Sequence, residues 1–161
     1  MKSGTREIII CGIFAAIISV FSVMTIPIGE VPVTMGLFGV MIAGVVLGAK
    51  RSVTAVIIYI LIGAVGIPVF AGFKGGAAVI VGATGGYITS YIFVALIVGF
   101  FVQFGRNLSK NKRIILNIAA CFAGIIICYF LGTVQFMLIT QNPASAAIMK
   151  CVLRSDEHTS A

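Results

Sequence analysis

The chain has 161 residues, 60% of them hydrophobic and 9% charged, with a mean hydropathy of +1.20; a soluble domain carries about 25% charged residues, so this composition excludes a water-soluble fold. Eleven Lys and Arg against four Asp and Glu give a net charge of +7, but the cations stand in small groups between apolar runs, which excludes a nucleic-acid stripe and fits membrane topology. The length suits one domain of about six membrane spans of about 20 residues each.

Met1 to Glu7 lead into a long apolar run with no small-residue cleavage site behind a short core, so the first span is expected to be retained. Residues 8–26 carry no charge and end at Pro27 and Gly29, the pattern of one membrane helix. Within it Gly12 and Ala16, and Ala15 and Ser19, stand four apart and share a helix face. Small residues on one face let a second helix approach closely. That helix belongs either to this chain or to a docked partner, and the spacing leaves both open.

The turn at residues 27–32 carries Glu30, read as a solvated loop charge. Residues 33–48 form a second, short span with Gly36, Gly39 and Gly44, closed by Lys50 and Arg51. Residues 53–66 make a third, containing Tyr59, before Pro68 stops the helix. Residues 68–87 then hold six of the chain's 19 glycines together with Phe70, Phe73, Lys74, Thr84 and Tyr87. Their middle, residues 77–81, is apolar enough to re-enter the membrane. Irregular backbone at that depth is tolerated only where it is buried in protein or lines a cavity.

Residues 87–104 give a fourth span, residues 105–113 a loop with four cations, and residues 114–131 a fifth span with Gly132 and Thr133 near its end. An apolar run at residues 144–153 is too short to cross a hydrocarbon core about 30 Å thick. The sixth helix therefore reads as truncated, residues 1–153 as one multi-pass domain, and residues 154–161 as a foreign tail outside the fold. The expected fold class is an all-α integral membrane protein, a six-helix bundle.

Ten cations fall in the loops of one side, and Lys74 stands alone on the other. The positive-inside rule then puts the N-terminus in the cytoplasm. The glycine-rich stretch, the turn at residues 27–32 and the Gln141 turn face outward together.

Catalysis finds no support in the spans. The only histidine, His158, lies in the tail, and no nucleophile stands beside a base. Cys11, Cys121, Cys128 and Cys151 lie in or beside apolar runs without metal-ligand spacing, and read as small apolar residues. Residues 82–87 lack the Gly-Lys-Ser/Thr ending of a phosphate loop, so any ATP must be hydrolysed by another subunit. No cofactor or metal is expected.

What the outer side offers is recognition. Gly72, Gly75, Gly76, Gly82, Gly85 and Gly86 let backbone amides approach a ligand, and successive amides form anion-binding concavities. Lys74 supplies a cation for a carboxylate, Phe70, Phe73 and Tyr87 supply apolar faces, and Thr84 and Tyr87 supply hydroxyls. Each has a plainer alternative: helix packing for the glycines, a solvated loop lysine for Lys74, an interfacial anchor for Tyr87. Their position together on one side favours a site.

The motifs Val31-Pro-Val-Thr34, Gly48, Tyr59, Gly63-Ala-Val-Gly-Ile-Pro-Val-Phe70, Gly75-Gly76 and Gly82-Ala-Thr-Gly-Gly-Tyr87 closely resemble the BioY family of biotin transporters. The resemblance covers about residues 8–150. It implies the substrate-capture component of an energy-coupling-factor (ECF) transporter, with biotin bound on the outer side beneath the first and third outer loops. Thr34, Phe70, Lys74, Gly75, Gly76, Thr84, Gly85, Gly86 and Tyr87 become the candidate substrate residues. It also implies a membrane coupling subunit with two cytoplasmic ATPases, docked through small residues of the first helix, which gives Gly12, Ala15, Ala16 and Ser19 a candidate role. Two features depart from the family: Ala83 stands where a proline is usual, and the sixth-helix aspartate and lysine of the biotin site have no counterpart, since Asp156 is not followed by such a lysine. A capture protein for a different vitamin, and a membrane assembly protein with no substrate, are the competing readings.

Overall fold

The computed structural model describes residues 3–26, 33–82, 84–107 and 109–140. Six α-helices occur among them: α1 (Ser3–Val23), α2 (Gly36–Leu47), α3 (Ala49–Ala64), α4 (Ala77–Val81), α5 (Gly85–Phe104) and α6 (Lys110–Thr140). A two-residue strand pair, β1 (Thr25–Ile26) with β2 (Val33–Thr34), and an antiparallel bridge between Phe70 and Lys74 depart from an all-α chain in the described residues. The strand pair is antiparallel, sets Thr25 opposite Thr34, and is extended by a bond from the Met35 N–H to the Met24 carbonyl, 3.1 Å.

α1, α5 and α6 are long and apolar enough to cross a membrane, whereas α2 is apolar but only 12 residues long and α3 has 16. The five long spans read from the sequence correspond to α1, α2, α3, α5 and α6, with shifted ends. The first helix starts at Ser3 and gives way to β1, the second starts only at Gly36 because residues 33–34 are a strand, and the third starts at Ala49. The largest shift is in α6, which runs from Lys110 to Thr140, nine residues past the expected end at residue 131. At 31 residues it is about 46 Å long, more than a hydrocarbon core requires. The predicted sixth run from Ala144 lies outside the described residues.

α5 is the axis of the bundle. It packs against α2, α3, α4 and α6, while α1 packs against α2 and α3. Its inward residues Ile88, Tyr91, Val94, Ala95 and Val98 share one buried core with Ala15 and Ile18 of α1, Val40, Met41 and Ala43 of α2, and Val56 and Tyr59 of α3. The surface is apolar nearly all round, with Ile8, Ile13, Val20, Phe38, Val46, Leu61, Phe100, Phe122, Ile126 and Phe130 exposed. A helix apolar on its outer face as well as its inner one suits lipid on the outside.

Glycine sets how tightly the helices cross. Gly48, the single residue between α2 and α3, has φ 76°, a left-handed value that favours glycine, and a Cβ there would lie 2.7 Å from the Gln103 amide nitrogen of α5. Next to it, Gly99 of α5 receives the backbone of Ala49 so closely that a Cβ would collide. The start of α3 is thereby pinned to the end of α5.

The ends of the bundle follow from these contacts. Arg51 at the start of α3 pairs with Glu7 of α1 at 2.7 Å, and its carbonyl accepts from the Cys11 thiol at 3.5 Å. With the α5 terminus and the start of α6 close by, Arg6, Lys50, Arg51, Arg106, Lys110, Lys112 and Arg113 share one end. Lys74 lies at the other, next to the C-terminal end of α3.

Candidate functional site

The end opposite the cation-rich one is built from the strand pair, the residues that follow α3, α4 and the first turns of α5. Its framework is two hydroxyl pairs. Ser22 and Tyr59 are hydrogen-bonded at 2.6 Å, joining α1 to α3, and Thr34 and Tyr91 at 2.8 Å, joining β2 to α5. The two tyrosine rings lie 6.4 Å apart at a tilt of 32°. Gly36 sits between the pairs: a Cβ there would come 3.0 Å from Ser22 Oγ and 3.1 Å from the Tyr91 hydroxyl. A buried hydroxyl in an apolar bundle needs a partner, and here each finds one on a different element.

Thr34 is thus half-buried and tied to Tyr91 rather than free. Phe70 is fully buried, edge-on to Tyr59 with ring centroids 5.6 Å apart, and its ring fills the space over Gly63. Directly after it the chain turns back on itself: the Phe70 N–H donates to the Lys74 carbonyl at 2.9 Å, closing a loop whose tip holds Gly72 at φ 68° and Phe73 at φ 58°. A left-handed phenylalanine is uncommon and costs on the order of 1 kcal/mol or more. Phe73 is 73% exposed, so its ring stands out from the protein.

Lys74 is exposed beside it. Gly75 lies so close to the backbone of residues 66–67 that a Cβ would be 2.6 Å from the Ile67 carbonyl oxygen, and the Gly76 N–H donates to the Gly63 carbonyl at 2.7 Å. These two glycines therefore dock the loop onto the end of α3. Their amides serve packing at Gly76 and close approach at Gly75.

Thr84, Gly85, Gly86 and Tyr87 form the entry of α5. The Thr84 carbonyl accepts from the Tyr87 and Ile88 N–H groups, so Thr84 caps the helix through its backbone. Gly85 and Gly86 face α4 and α6: a Cβ on Gly85 would collide with the Ile80 carbonyl, and one on Gly86 would lie 2.6 Å from Cβ of Gln135. Tyr87 lays its ring over Gly132, edge-on to Tyr129 with centroids 6.3 Å apart. That contact is why glycine stands at 132 without ending the helix.

The predicted substrate residues thus gather at one end but not in one layer. Phe70, Gly75, Gly85 and Gly86 are committed to packing, Thr34 and Tyr87 are partly open, and Lys74 and Phe73 are outermost. Among the residues that sequence reasoning passed over, Ser22, Tyr91 and Gln135 stand out. Ser22 and Tyr91 supply half of each hydroxyl pair, and the Gln135 amide donates to the carbonyls of Ile80 and Gly82, both at 3.3 Å. Gln135 had a signal, being an amide within an apolar helix.

On α1 the four small residues divide. Ala15 is completely buried against the chain's own core, and the Ser19 hydroxyl is turned back onto the Ala15 carbonyl at 2.8 Å. Ala16 is exposed, and a Cβ on Gly12 would meet nothing within 4 Å. The open part of the stripe is Gly12 and Ala16. No group of three metal-ligating side chains occurs among the described residues, and Cys11, Cys121 and Cys128 carry free thiols.

A family model described as the BioY family matches residues 1–155. The chain is 42% identical over 127 residues to the biotin transporter BioY of Thermotoga maritima, covering 79% of this chain and 72% of that protein. It is 37% identical over 127 residues to a probable biotin transporter BioY of Pyrococcus horikoshii, with the same coverage of each. Among solved structures it resembles the S-component for biotin from an ECF-type ABC transporter, with a TM-score of 0.79 and 25% identity over 95% of this chain and 84% of that one.

Proposed function

The chain belongs to the BioY family, and we propose that it is a membrane S-component that captures biotin on the outer side for uptake across the cytoplasmic membrane, energised by separate ATPase subunits. The observation that carries this is the likeness of nearly the whole helix arrangement to a solved S-component for biotin. The chain itself has no phosphate loop, so the energy for uptake must come from a partner. It is a carrier component and not an enzyme.

Biotin enters at the end that carries Lys74. Its fused rings and alkyl chain call for apolar walls, its ureido group for paired donors and acceptors, and its carboxylate for a cation or a nest of amides. In this reading Lys74 meets the carboxylate, Thr34, Thr84 and Tyr87 supply polar contacts, Phe70 backs the apolar wall from behind, and Gly75, Gly76, Gly85 and Gly86 let the loop, α4 and α6 pack closely behind the ligand. The clustering of seven basic residues at the opposite end supports a cytoplasmic N-terminus, because cations collect on the cytoplasmic side.

Uptake then involves a transmembrane coupling subunit with two cytoplasmic ATPases, docked against α1 within the lipid. Gly12 and Ala16 support this placement, since they leave a shallow, unoccupied strip on an otherwise bulky helix.

The test is a calorimetric titration of the purified chain in lipid nanodiscs with biotin, thiamine and riboflavin. Saturable binding of biotin alone is expected. Binding of another vitamin in its place would make the chain an S-component of different specificity, and binding of none would leave an assembly role.

A further inference from the structure

Gln135 is an amide set in an apolar stretch of α6, and both of its hydrogen bonds lead to the glycine-rich segment. Its Nε2 donates to the Ile80 and Gly82 carbonyls, each at 3.3 Å and more than fifty residues distant in sequence. A terminal amide has two N–H donors, which is the number of carbonyls it meets. Ile80 belongs to α4, a helix of five residues. So short a helix is not stable by itself, and the carbonyls of its last turn have no donor within it. In an apolar setting such carbonyls need a partner from elsewhere. Gln135 supplies one to Ile80 from a different helix, and it shares the Gly82 carbonyl with the Gly85 N–H, which donates to it at 3.0 Å.

The same side chain fills the space that glycine leaves at the start of α5. A Cβ on Gly85 would stand 2.9 Å from its Nε2, and one on Gly86 would stand 2.6 Å from its Cβ. Gln135 thereby contacts both sides of the turn between α4 and α5. Below it, the same face of α6 continues with Gly132 under the Tyr87 ring and with Cys128, whose sulfur accepts from the Ser90 hydroxyl at 3.1 Å. The seam between α5 and α6 ends at the outer surface on Gln135.

We infer that Gln135 is a positioning residue, a latch from α6 that fixes α4 and the start of α5 across the outer end and so sets how long bound biotin is retained. The inference rests on the biotin reading for its functional half. Its structural half stands without a ligand: with the latch gone, α4 opens locally while the bundle stays folded.

Gln135→Met separates the two things the residue does. Methionine is unbranched and close in length, so it keeps the packing on Gly85 and Gly86 and removes only the donors. Hydrogen exchange of the ligand-free protein in nanodiscs is expected to quicken about tenfold at the amides of residues 77–82, with α2 and α3 unchanged. In a chase with unlabelled biotin, release of labelled biotin should quicken by a similar factor. Gln135→Ala, which also removes the packing, should show a larger change at the same amides. Unchanged exchange at residues 77–82 in both variants, or an equal rise across all helices, overturns the latch. Faster exchange with unaltered release overturns its role in retention. If the unaltered chain takes up no biotin, the functional reading fails, and the exchange result still decides the latch.

Discussion

The ring of Phe70 occupies the space that a side chain on Gly63 would need, and that ring stands edge-on to Tyr59. The loop after α3 is thus fastened to the bundle by an aromatic plug, with Lys74 held four residues beyond it by a backbone bond. Gly63→Ala must push the ring aside. Overpacking of this kind costs about 1–3 kcal/mol, and because the ring carries the loop, the substitution should weaken biotin binding as well as lower the thermal midpoint. Gly63→Ala with Phe70→Leu, which returns the space, should recover most of the midpoint. Measured midpoints of the single and double variants that simply add would show that the two residues do not share this space.

The Ser22–Tyr59 and Thr34–Tyr91 pairs join different elements, and each is expected to contribute a coupling energy. Hydrogen bonds between membrane helices measure about 0.6 kcal/mol on average and about 1.7 at most. Double-mutant cycles with Ser22→Ala and Tyr59→Phe, and with Thr34→Val and Tyr91→Phe, should return values in that range by reversible unfolding in mixed micelles. A larger coupling for Ser22–Tyr59 is expected, since both of its members are buried while Thr34 is half-open. Zero couplings would count against the network, and equal ones against the ranking.

These two features differ in how far they could be read beforehand. Long charge-free runs ended by Gly, Pro or paired cations gave the spans, because a bilayer demands that pattern of any helix crossing it. The glycine-rich stretch was visible for the same reason, as a break in the pattern. What each glycine faces was not visible, since Gly63 meets Phe70 after a turn but Gly132 meets Tyr87 from a different helix. A fifth span over residues 114–131 stops nine residues short of the end of α6, because the apolar residues beyond Gly132 continue the helix. The hydroxyl pairs bring together residues 37 and 57 positions apart, a relation with no local period. Gln135 carried a signal as an amide in an apolar run, but its partners Ile80 and Gly82 lie 55 and 53 residues away, a relation nothing local reveals.

Lys74 is the cation at the end opposite the basic cluster among the described residues, and its backbone is tied to Phe70. Lys74→Ala should weaken biotin binding by about 1–3 kcal/mol, a rise in Kd of about 5- to 150-fold. A biotin amide that lacks the carboxylate should bind the parent chain and Lys74→Ala equally well. A Kd for biotin that does not change on substitution would remove Lys74 from the site. Because Lys74 is exposed, the effect should shrink as salt is raised.

The division of the α1 stripe turns partner docking into a sharp comparison. Ala15 is buried with Ile18 against the core, so Ala15→Leu has to overpack the bundle and should lower its stability by about 1–3 kcal/mol. Ala16 lies on the outer face, where Ala16→Leu meets lipid and should leave stability within about 0.5 kcal/mol. If Gly12 and Ala16 receive a helix of the coupling subunit, Ala16→Leu, or Gly12→Leu, should abolish co-purification with that subunit while biotin affinity and the thermal midpoint stay unchanged. Close approach requires small residues, and one leucine side chain is enough to hold two backbones apart. Loss of the complex only in Ala15→Leu, together with a lowered midpoint, would instead mean that the stripe serves this chain's own packing. Full co-purification of Ala16→Leu and Gly12→Leu would move the docking surface to another helix.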